Sequence, residues 1–169
     1  MLTSRLFGRG LGLAAVLAMA LTVAACAQRT AQEDGAGGAG GSGNATPGSA
    51  QDFSVNVGDR VHFETDSTTF TARARETLNR QAQWLQRYPD YRVTVEGHAD
   101  ERGTREYNLG LGARRANVVR DYIMSRGIDG PRLRTNSYGK ERPVATCSDE
   151  SCWSQNRRAV TALDGAPTS

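Results

Sequence analysis

The chain has 169 residues, 38% of them hydrophobic and 23% charged, and its formal net charge is +3 at pH 7. Once its atypical ends are set aside, this length holds one domain of ordinary size, which argues against a two-domain enzyme. With 21 basic and 18 acidic residues, the excess of positive charge is too small to bind a polyanion strongly, so nucleic acid is not expected as a partner.

The first 25 residues have the pattern of a secretory signal. Arg5 and Arg9 form a charged start, and an uncharged run rich in Ala and Leu follows from residue 11 to residue 25. That run is shorter than the ~20 apolar residues that a membrane-spanning helix needs. We therefore predict that residues 1–25 are a removable signal peptide.

The signal ends in small residues directly before a cysteine. Residues 21–26, Leu-Thr-Val-Ala-Ala-Cys, resemble the lipobox of bacterial lipoproteins. The resemblance implies cleavage before Cys26, acylation of its thiol and its new amine, and a lipid anchor. Ala27 stands where an Asp would favour the inner membrane in some bacteria, so we expect the outer membrane, with the folded domain in the periplasm. The alternative is an ordinary secreted protein in which Cys26 is incidental.

A low-complexity segment follows the cysteine. Residues 27–50 are mostly Gly, Ala, Ser, Gln and Asn, with almost no large apolar side chain. Such a segment cannot offset the entropy cost of its own ordering, so it is predicted to be a flexible linker. The predicted organisation is a signal peptide at 1–25, a lipidated cysteine with its linker at 26–50, and a single domain at 51–165.

From residue 51 onward the hydrophobic pattern alternates between strand and helix periodicity. Thr71 can cap a first helix that Pro89 ends, and Gly127 can end a second helix. This order predicts an α+β sandwich, β-α-β-α-β-β, with two helices packed on one face of a mixed sheet. The pattern predicts strands at 61–64, 92–96, 133–138 and 158–163, and helices at 72–88 and about 106–126.

The cysteine content fits an exported domain. If Cys26 carries lipid, Cys147 and Cys152 remain, and these two can form a disulfide in an oxidising periplasm. A metal site is the alternative use of the pair, but His62 and His98 lie far from it in the sequence. We therefore predict a disulfide that shapes a surface loop between the last two strands.

The second predicted helix carries an arginine on its apolar face. On a wheel of about 100° per residue, Arg115 falls within the stripe that contains Leu111, whereas Arg114 falls outside it. Asn108 lies on the same stripe two turns before Arg115. A buried arginine is costly unless it is paired, so Arg115 should have a carboxylate partner or a ligand anion. The alternatives are an internal salt bridge or a side chain that reaches out of the stripe to water.

The candidate for the opposite charge is Asp100, in the loop 97–104 between the strand at 92–96 and the second helix. This loop brings Asp100 and Arg115 to one edge of the domain. A carboxylate beside a guanidinium is complementary to a zwitterion, because Asp binds an ammonium and Arg binds a carboxylate through two hydrogen bonds. The bacterial cell wall offers such a group in diaminopimelate, whose free end carries both charges on one carbon.

Four segments carry a specific family resemblance. Residues 95–104 (VEGHADERGT), 107–117 (YNLGLGARRAN), 137–143 (SYGKERP) and 156–160 (NRRAV) are similar to the peptidoglycan-associated lipoproteins, within the OmpA C-terminal-like family. The similarity spans about residues 55–163 and implies a non-enzymatic domain that binds peptidoglycan without a cofactor or metal. It also implies a second partner, the periplasmic β-propeller protein of the Tol–Pal system, which serves cell division and envelope integrity.

The resemblance also implies the site residues. Asp100 and Arg115 match the family residues that bind diaminopimelate. Thr65 and Asp66 match a ligand-facing turn after the first strand, and Leu111 matches a pocket-lining position. Relatives commonly have an aromatic residue where this chain has Thr65, so one wall of the pocket differs. The residues predicted to bind peptidoglycan are Thr65, Asp66, Asp100, Asn108, Leu111 and Arg115.

A lipid-anchored cell-wall hydrolase is the main alternative. His98, Asp100 and Glu101 are close enough in the sequence to serve as metal ligands or acid–base groups. No second histidine or cysteine completes a metal site there, and no serine with a base can be assembled. His98 is therefore expected to be a satisfied loop residue that orients Asp100. A wall-anchored stator is a third class, but it requires a transmembrane helix with an acidic residue, which residues 1–25 do not provide.

Overall fold

The computed structural model describes residues 45–165. The predicted signal peptide, Cys26 with its predicted lipid and most of the predicted linker lie outside the described residues. Within residues 45–165, no helix is long and apolar enough to cross a membrane.

The described residues form helices and strands that alternate along the chain. A short π-helix, Phe53–Gly58, follows the first helix, and a 3-10 turn, Gly130–Arg132, precedes the third strand. In chain order the main elements are α1 (Ala50–Asp52), β1 (Arg60–His62), α2 (Ala72–Arg87), β2 (Arg92–His98), α3 (Arg105–Ser125), β3 (Leu133–Gly139), α4 (Glu150–Asn156) and β4 (Arg158–Asp164).

The four strands form one mixed sheet in the order β1-β4-β2-β3. β4 pairs antiparallel with both β1 and β2, whereas β2 and β3 are parallel. The core lies between one face of this sheet and the helices α2 and α3. There, Val93 and Val95 of β2 share a buried cluster with Leu85 of α2 and Val119 of α3. The predicted α+β fold, with two helices on one face of a mixed sheet, is confirmed.

The ends of the two long helices follow from local signals in the sequence. The hydroxyl oxygen of Thr71 accepts a hydrogen bond of 3.1 Å from the backbone N–H of Ala74 at the start of α2. Thr104 caps α3 in the same way, accepting from Tyr107 at 3.2 Å. Gly127, with φ of +92°, adopts the left-handed conformation that follows many helix ends. The predicted starts and stops of both helices are therefore confirmed to within about two residues.

Two glycines allow α3 to lie directly on β2. A Cβ atom added to Gly97 would lie 1.8 Å from the carbonyl oxygen of Gly112, and a Cβ atom on Gly112 would lie 2.8 Å from the carbonyl oxygen of Gly97. Only hydrogen side chains permit this approach of two backbones. The close contact brings the buried face of α3 up to the loop that follows β2, where the predicted site residues lie.

Residues 45–50 differ from the flexible linker that composition predicted. Ala45 is buried, and the carbonyl oxygen of Gly48 accepts a hydrogen bond of 2.8 Å from the hydroxyl of Tyr91. The segment is poor in apolar side chains, but partners distant in the sequence hold its backbone in place. The folded part of the chain therefore begins before Gln51, where the domain was predicted to start.

The segment between β3 and β4 holds a helix that the sequence pattern did not predict. α4 has seven residues, and the carboxylate of Asp149 accepts a hydrogen bond of 2.8 Å from the backbone N–H of Ser151 at its start. Two turns offer too few repeats for helical periodicity to be recognised. The predicted disulfide between Cys147 and Cys152 is confirmed, with Cα atoms 5.6 Å apart. It links the loop that precedes α4 to the third residue of that helix.

Candidate functional site

A cavity of about 360 Å³ opens at the edge of the domain where β2 ends and α3 begins. Its walls come from the β1–α2 loop, the β2–α3 loop and the first turns of α3. Of the six residues predicted from the sequence, Arg115 alone does not line this cavity, and three lining residues were not predicted. The lining is Thr65, Asp66, Asp100, Arg102, Gly103, Tyr107, Asn108 and Leu111.

A second cavity, of about 340 Å³, lies between β1 and the start of α2. Arg60, Arg73 and Arg157 contribute cations to its lining, and Glu64 and Glu150 contribute carboxylates. None of the predicted binding residues lines it, and its charges nearly balance. The cavity beside Asp100 is therefore the candidate site.

The carboxylate of Asp100 is largely buried and already paired with two arginines. Arg102 contacts both carboxylate oxygens, with its Nη2 2.7 Å from Oδ2 and its Nε 3.2 Å from Oδ1. Arg157 donates to Oδ2 from the other side at 3.4 Å. Burial alone would raise the pKa of the Asp100 carboxyl, but the hydrogen bonds from Arg102 outweigh it, so this pKa lies below its ordinary value. Asp100 is therefore a fixed negative charge at neutral pH.

The guanidinium of Arg115 is fully buried behind this site and donates to three backbone carbonyl oxygens. The distances are 3.0 Å to Ser67, 2.9 Å to His98 and 3.1 Å to Glu64. Burial lowers the pKa of Arg115 to about 10, so it remains charged at neutral pH. Arg115 lies on the buried face of α3, as its helical spacing predicts, where the sequence leads us to expect a carboxylate partner or a ligand anion. Among residues 45–165, Arg115 forms no ion pair, because the arginines at 102 and 157 occupy Asp100.

Polar contacts across the cavity connect its walls. The side-chain amide of Asn108 donates a hydrogen bond of 2.6 Å to the carbonyl oxygen of Arg102, which fixes the loop that carries Asp100. Tyr107 donates its hydroxyl to the carboxylate of Asp66, a residue held in the left-handed conformation at φ of +49°. Thr65 lies in the lining as expected. The aromatic ring of Tyr107 is also part of this lining.

Sequence reasoning missed Arg102, Gly103 and Tyr107, although signals for two of them were available. Arg102 stands two residues after Asp100 in the same loop, at a spacing that suits a local ion pair. Tyr107 stands in the first turn of α3, three residues after the cap, and so faces the cavity from the same end of the helix as Asn108.

His98 does not belong to the site, which corrects the expectation that it is a satisfied loop residue orienting Asp100. It lies at the end of β2, just after an irregularity of strand register between Gly97 and His98, and its Nε2 lies 3.9 Å from the carboxylate of Glu96. Its ring stacks on Tyr138 with centroids 5.4 Å apart, and neither ring nitrogen has a hydrogen-bond partner among the described residues. Burial, with help from nearby arginines, lowers the pKa of His98 to about 4.

The acid–base set of the alternative hydrolase is therefore not assembled in the described structure. The ring of His98 stacks on Tyr138 and does not line the cavity beside Asp100, and the carboxylate of Glu101 accepts a hydrogen bond of 3.1 Å from the indole N–H of Trp153. No group of three His, Cys, Asp or Glu side chains in residues 45–165 is arranged to hold a metal ion. The arrangement has the charges of a binding site, with a carboxylate at the cavity and a cation behind it.

Comparisons with known proteins agree with this fold. The OmpA family profile matches residues 62–157. The chain is 64% identical over 156 residues to a peptidoglycan-associated lipoprotein of Agrobacterium fabrum, covering 90% of this chain and 88% of that one. The crystal structure of the peptidoglycan-associated lipoprotein from Burkholderia pseudomallei superposes with a TM-score of 0.64 at 35% identity, over 68% of this chain and 98% of that one. The C-terminal domain of Helicobacter pylori MotB, with a TM-score of 0.60 and 22% identity over 64% and 86% of the two chains, shares the fold.

Proposed function

The chain belongs to the OmpA family, and we propose that it is an envelope lipoprotein whose periplasmic domain binds peptidoglycan without cleaving it. The ligand group is the zwitterionic end of diaminopimelate, held in the cavity between the β2–α3 loop and the first turns of α3. The relatives in Agrobacterium and Burkholderia, both named as peptidoglycan-associated lipoproteins, support this proposal.

The observation that carries the proposal is the charge arrangement at the cavity. Asp100 presents a carboxylate that binds the ammonium of the ligand. Arg115 is a buried cation whose acceptors among the described residues are three neutral carbonyls, so no carboxylate of these residues neutralises its charge at close range. Because Arg115 is fully buried and lies outside the cavity lining, its charge attracts the carboxylate of the ligand from behind the cavity wall. A zwitterion matches both charges, whereas a simple cation or anion matches one.

A lipid on Cys26 would anchor the domain to the outer membrane through the linker. This part of the proposal rests on the lipobox-like residues 21–26 and on the lipoprotein relatives. Mass spectrometry of the mature protein should find an acylated N-terminal cysteine, and Cys26→Ala should release the protein into the soluble periplasm. An unmodified N-terminus at Ala27 or later would contradict the anchor.

The periplasmic β-propeller of the Tol–Pal system is proposed as a second partner that competes with the wall. The loops that carry Thr65, Asp66 and Asp100 form the exposed rim of the cavity, and a partner covering that rim would exclude the ligand. If binding of one disfavours the other, the effect is reciprocal by the same factor. Saturating diaminopimelate peptide should therefore weaken the affinity for the propeller, and an unchanged affinity would mean independent sites.

Co-sedimentation with purified peptidoglycan tests the central function. The mature protein should sediment with peptidoglycan, and free diaminopimelate should displace it in a concentration-dependent way. Release of soluble muropeptides during the incubation would favour the hydrolase, and failure to sediment would contradict wall binding.

A further inference from the structure

The acceptor proposed for the ligand's ammonium is occupied by the protein's own cation. Oδ1 of Asp100 accepts from the backbone N–H and the Nε of Arg102, and Oδ2 accepts from Arg102 Nη2 and from Arg157, so each oxygen already has two donors and none of the roughly four acceptor positions is left for an ammonium. A ligand that binds Asp100 must therefore displace one of its two arginines or compete with both.

The two arginines differ in how firmly they are held. The side chain of Arg157 is 3% exposed, donates 3.0 Å to the carbonyl oxygen of Phe63, and pairs with Glu150. The side chain of Arg102 is 40% exposed, and its other side-chain hydrogen bond is a long contact of 3.4 Å to the hydroxyl of Thr65. Arg102 would lose fewer contacts than Arg157 on leaving Asp100. Arg102 is therefore the arginine that the ligand displaces.

An aromatic ring from α4 holds Arg102 over Asp100. The guanidinium carbon of Arg102 lies 4.2 Å from the ring centroid of Trp153, within cation–π distance. Trp153 is itself fixed by its indole hydrogen bond to Glu101 and by its position next to Cys152, whose disulfide ties α4 to the preceding loop. Trp153 therefore acts on the site through Arg102, as a positioning residue.

We propose that Arg102 is an exchangeable internal counter-ion of Asp100, positioned by Trp153, which the ammonium of the wall ligand must replace. The inference rests on the proposed function, because it names what the ligand displaces at the same site. This exchange makes the site selective for a cationic group, since a neutral group that reaches Asp100 offers no charge to compensate for the displaced guanidinium. The displaced Arg102 stays in favourable surroundings, because Glu101 and Glu150 lie close enough to stabilise its charge.

The test compares charge removal at Arg102 with charge removal at a matched neighbour. Arg102→Met keeps an unbranched stem and removes the cation from Asp100. Arg105→Met removes a more exposed cation three residues further along the chain, at the start of α3, one that pairs with Glu141 and does not touch Asp100. A stem tripeptide ending in diaminopimelate is titrated into each protein by calorimetry, after circular dichroism has established that each is folded.

Arg102→Met should bind the tripeptide about fivefold more tightly than wild type, the scale expected for loss of a partly exposed competing ion pair. Arg105→Met should bind like wild type to within about twofold. Trp153→Leu should tighten binding by a smaller factor in the wild-type background and have no effect in the Arg102→Met background, because its action passes through Arg102. In wild type, the tripeptide should also change the fluorescence of Trp153 as Arg102 moves, and this change should be absent in Arg102→Met.

Unchanged or weaker binding by Arg102→Met, with wild type binding normally, would overturn the exchange and make Arg102 a neutral or direct ligand contact. An equal effect of Trp153→Leu in both backgrounds would overturn the positioning role. If neither wild type nor Arg102→Met binds the tripeptide, the proposed function and the exchange both fail. These outcomes distinguish an error in this inference from an error in the function on which it rests.

Discussion

The guanidinium of Arg115 donates a hydrogen bond of 2.9 Å to the backbone carbonyl oxygen of His98, two residues before Asp100. This bond joins α3 to the loop that carries the proposed acceptor of the ligand's ammonium. The same guanidinium also holds the β1–α2 loop through Glu64 and Ser67. One buried side chain therefore fixes both loops that line the cavity and keeps a positive charge behind them.

Arg115→Met should destabilise the domain as well as weaken ligand binding. The change leaves three carbonyls, that of His98 buried and those of Glu64 and Ser67 partly buried, without their charged donor, which should lower the free energy of unfolding by ~3 kcal/mol or more. Arg114→Met, on the exposed face of the same helix, is the control and should change it by less than ~0.5 kcal/mol. Urea unfolding measures both, and equal stability of the two variants would contradict the cross-linking role of Arg115.

Gly97→Ala should be among the most destabilising small changes in the domain. Its Cβ atom would lie 1.8 Å from the carbonyl oxygen of Gly112, so α3 would have to move away from β2. A loss of more than ~3 kcal/mol in unfolding free energy is expected.

Gly110→Ala is the matched control for Gly97→Ala. Gly110 also lies in a regular element, α3, but its Cβ atom would meet only the Arg114 guanidinium, at an ordinary 3.5 Å. Alanine has the higher helix propensity, so stability should stay the same or rise by up to ~1 kcal/mol. A Gly97→Ala protein as stable as Gly110→Ala would mean that α3 does not need this contact.

His98 should make the domain less stable in mild acid. Its pKa is about 4 in the folded state and 6.5 as the ordinary value, so the unfolded chain binds a proton first as pH falls. The stability that neutral His98 contributes is complete above pH ~6.5 and declines by up to ~1.4 kcal/mol per pH unit down to about pH 4.

Comparison with His98→Phe isolates this effect, because the variant keeps the aromatic contact with Tyr138 and cannot titrate. The unfolding free energy of wild type minus that of the variant should be constant above pH ~6.5 and should fall below it. Taking the difference cancels the contributions of other groups with lowered pKa values, His62 and Asp100 among them. A difference that stays flat down to pH 4 would show that His98 is not held neutral.

The long elements of the fold could be predicted because their signals are local and repeated. α2 and α3 have 16 and 21 residues, enough for several repeats of the apolar stripe, and Thr71 and Gly127 mark two of their ends. α4 has seven residues and no such repeat. Residues 45–50 are ordered by partners far away in the sequence, such as Tyr91, and composition carries no information on those partners.

The site could be predicted only in part, for a similar reason. Helical spacing alone assigned Arg115 to the buried face of α3. Its partners are backbone carbonyls at sequence separations of 17 to 51 residues, and any residue type supplies a carbonyl. Asp100 has several arginines within reach, and which of them pair with it depends on how α4 packs.

Calorimetric titration of Asp100→Asn with the diaminopimelate tripeptide measures how much the carboxylate contributes to ligand binding, because the change keeps the shape of the side chain and removes its charge. Glu106→Gln, which removes an exposed carboxylate in the first turn of α3 outside the cavity lining, is the control. Asp100→Asn should bind at least about tenfold more weakly than wild type, as expected for a lost charge-assisted hydrogen bond, while Glu106→Gln binds like wild type. Wild-type affinity in a folded Asp100→Asn protein would contradict the account, because the ammonium of the ligand would then have another acceptor.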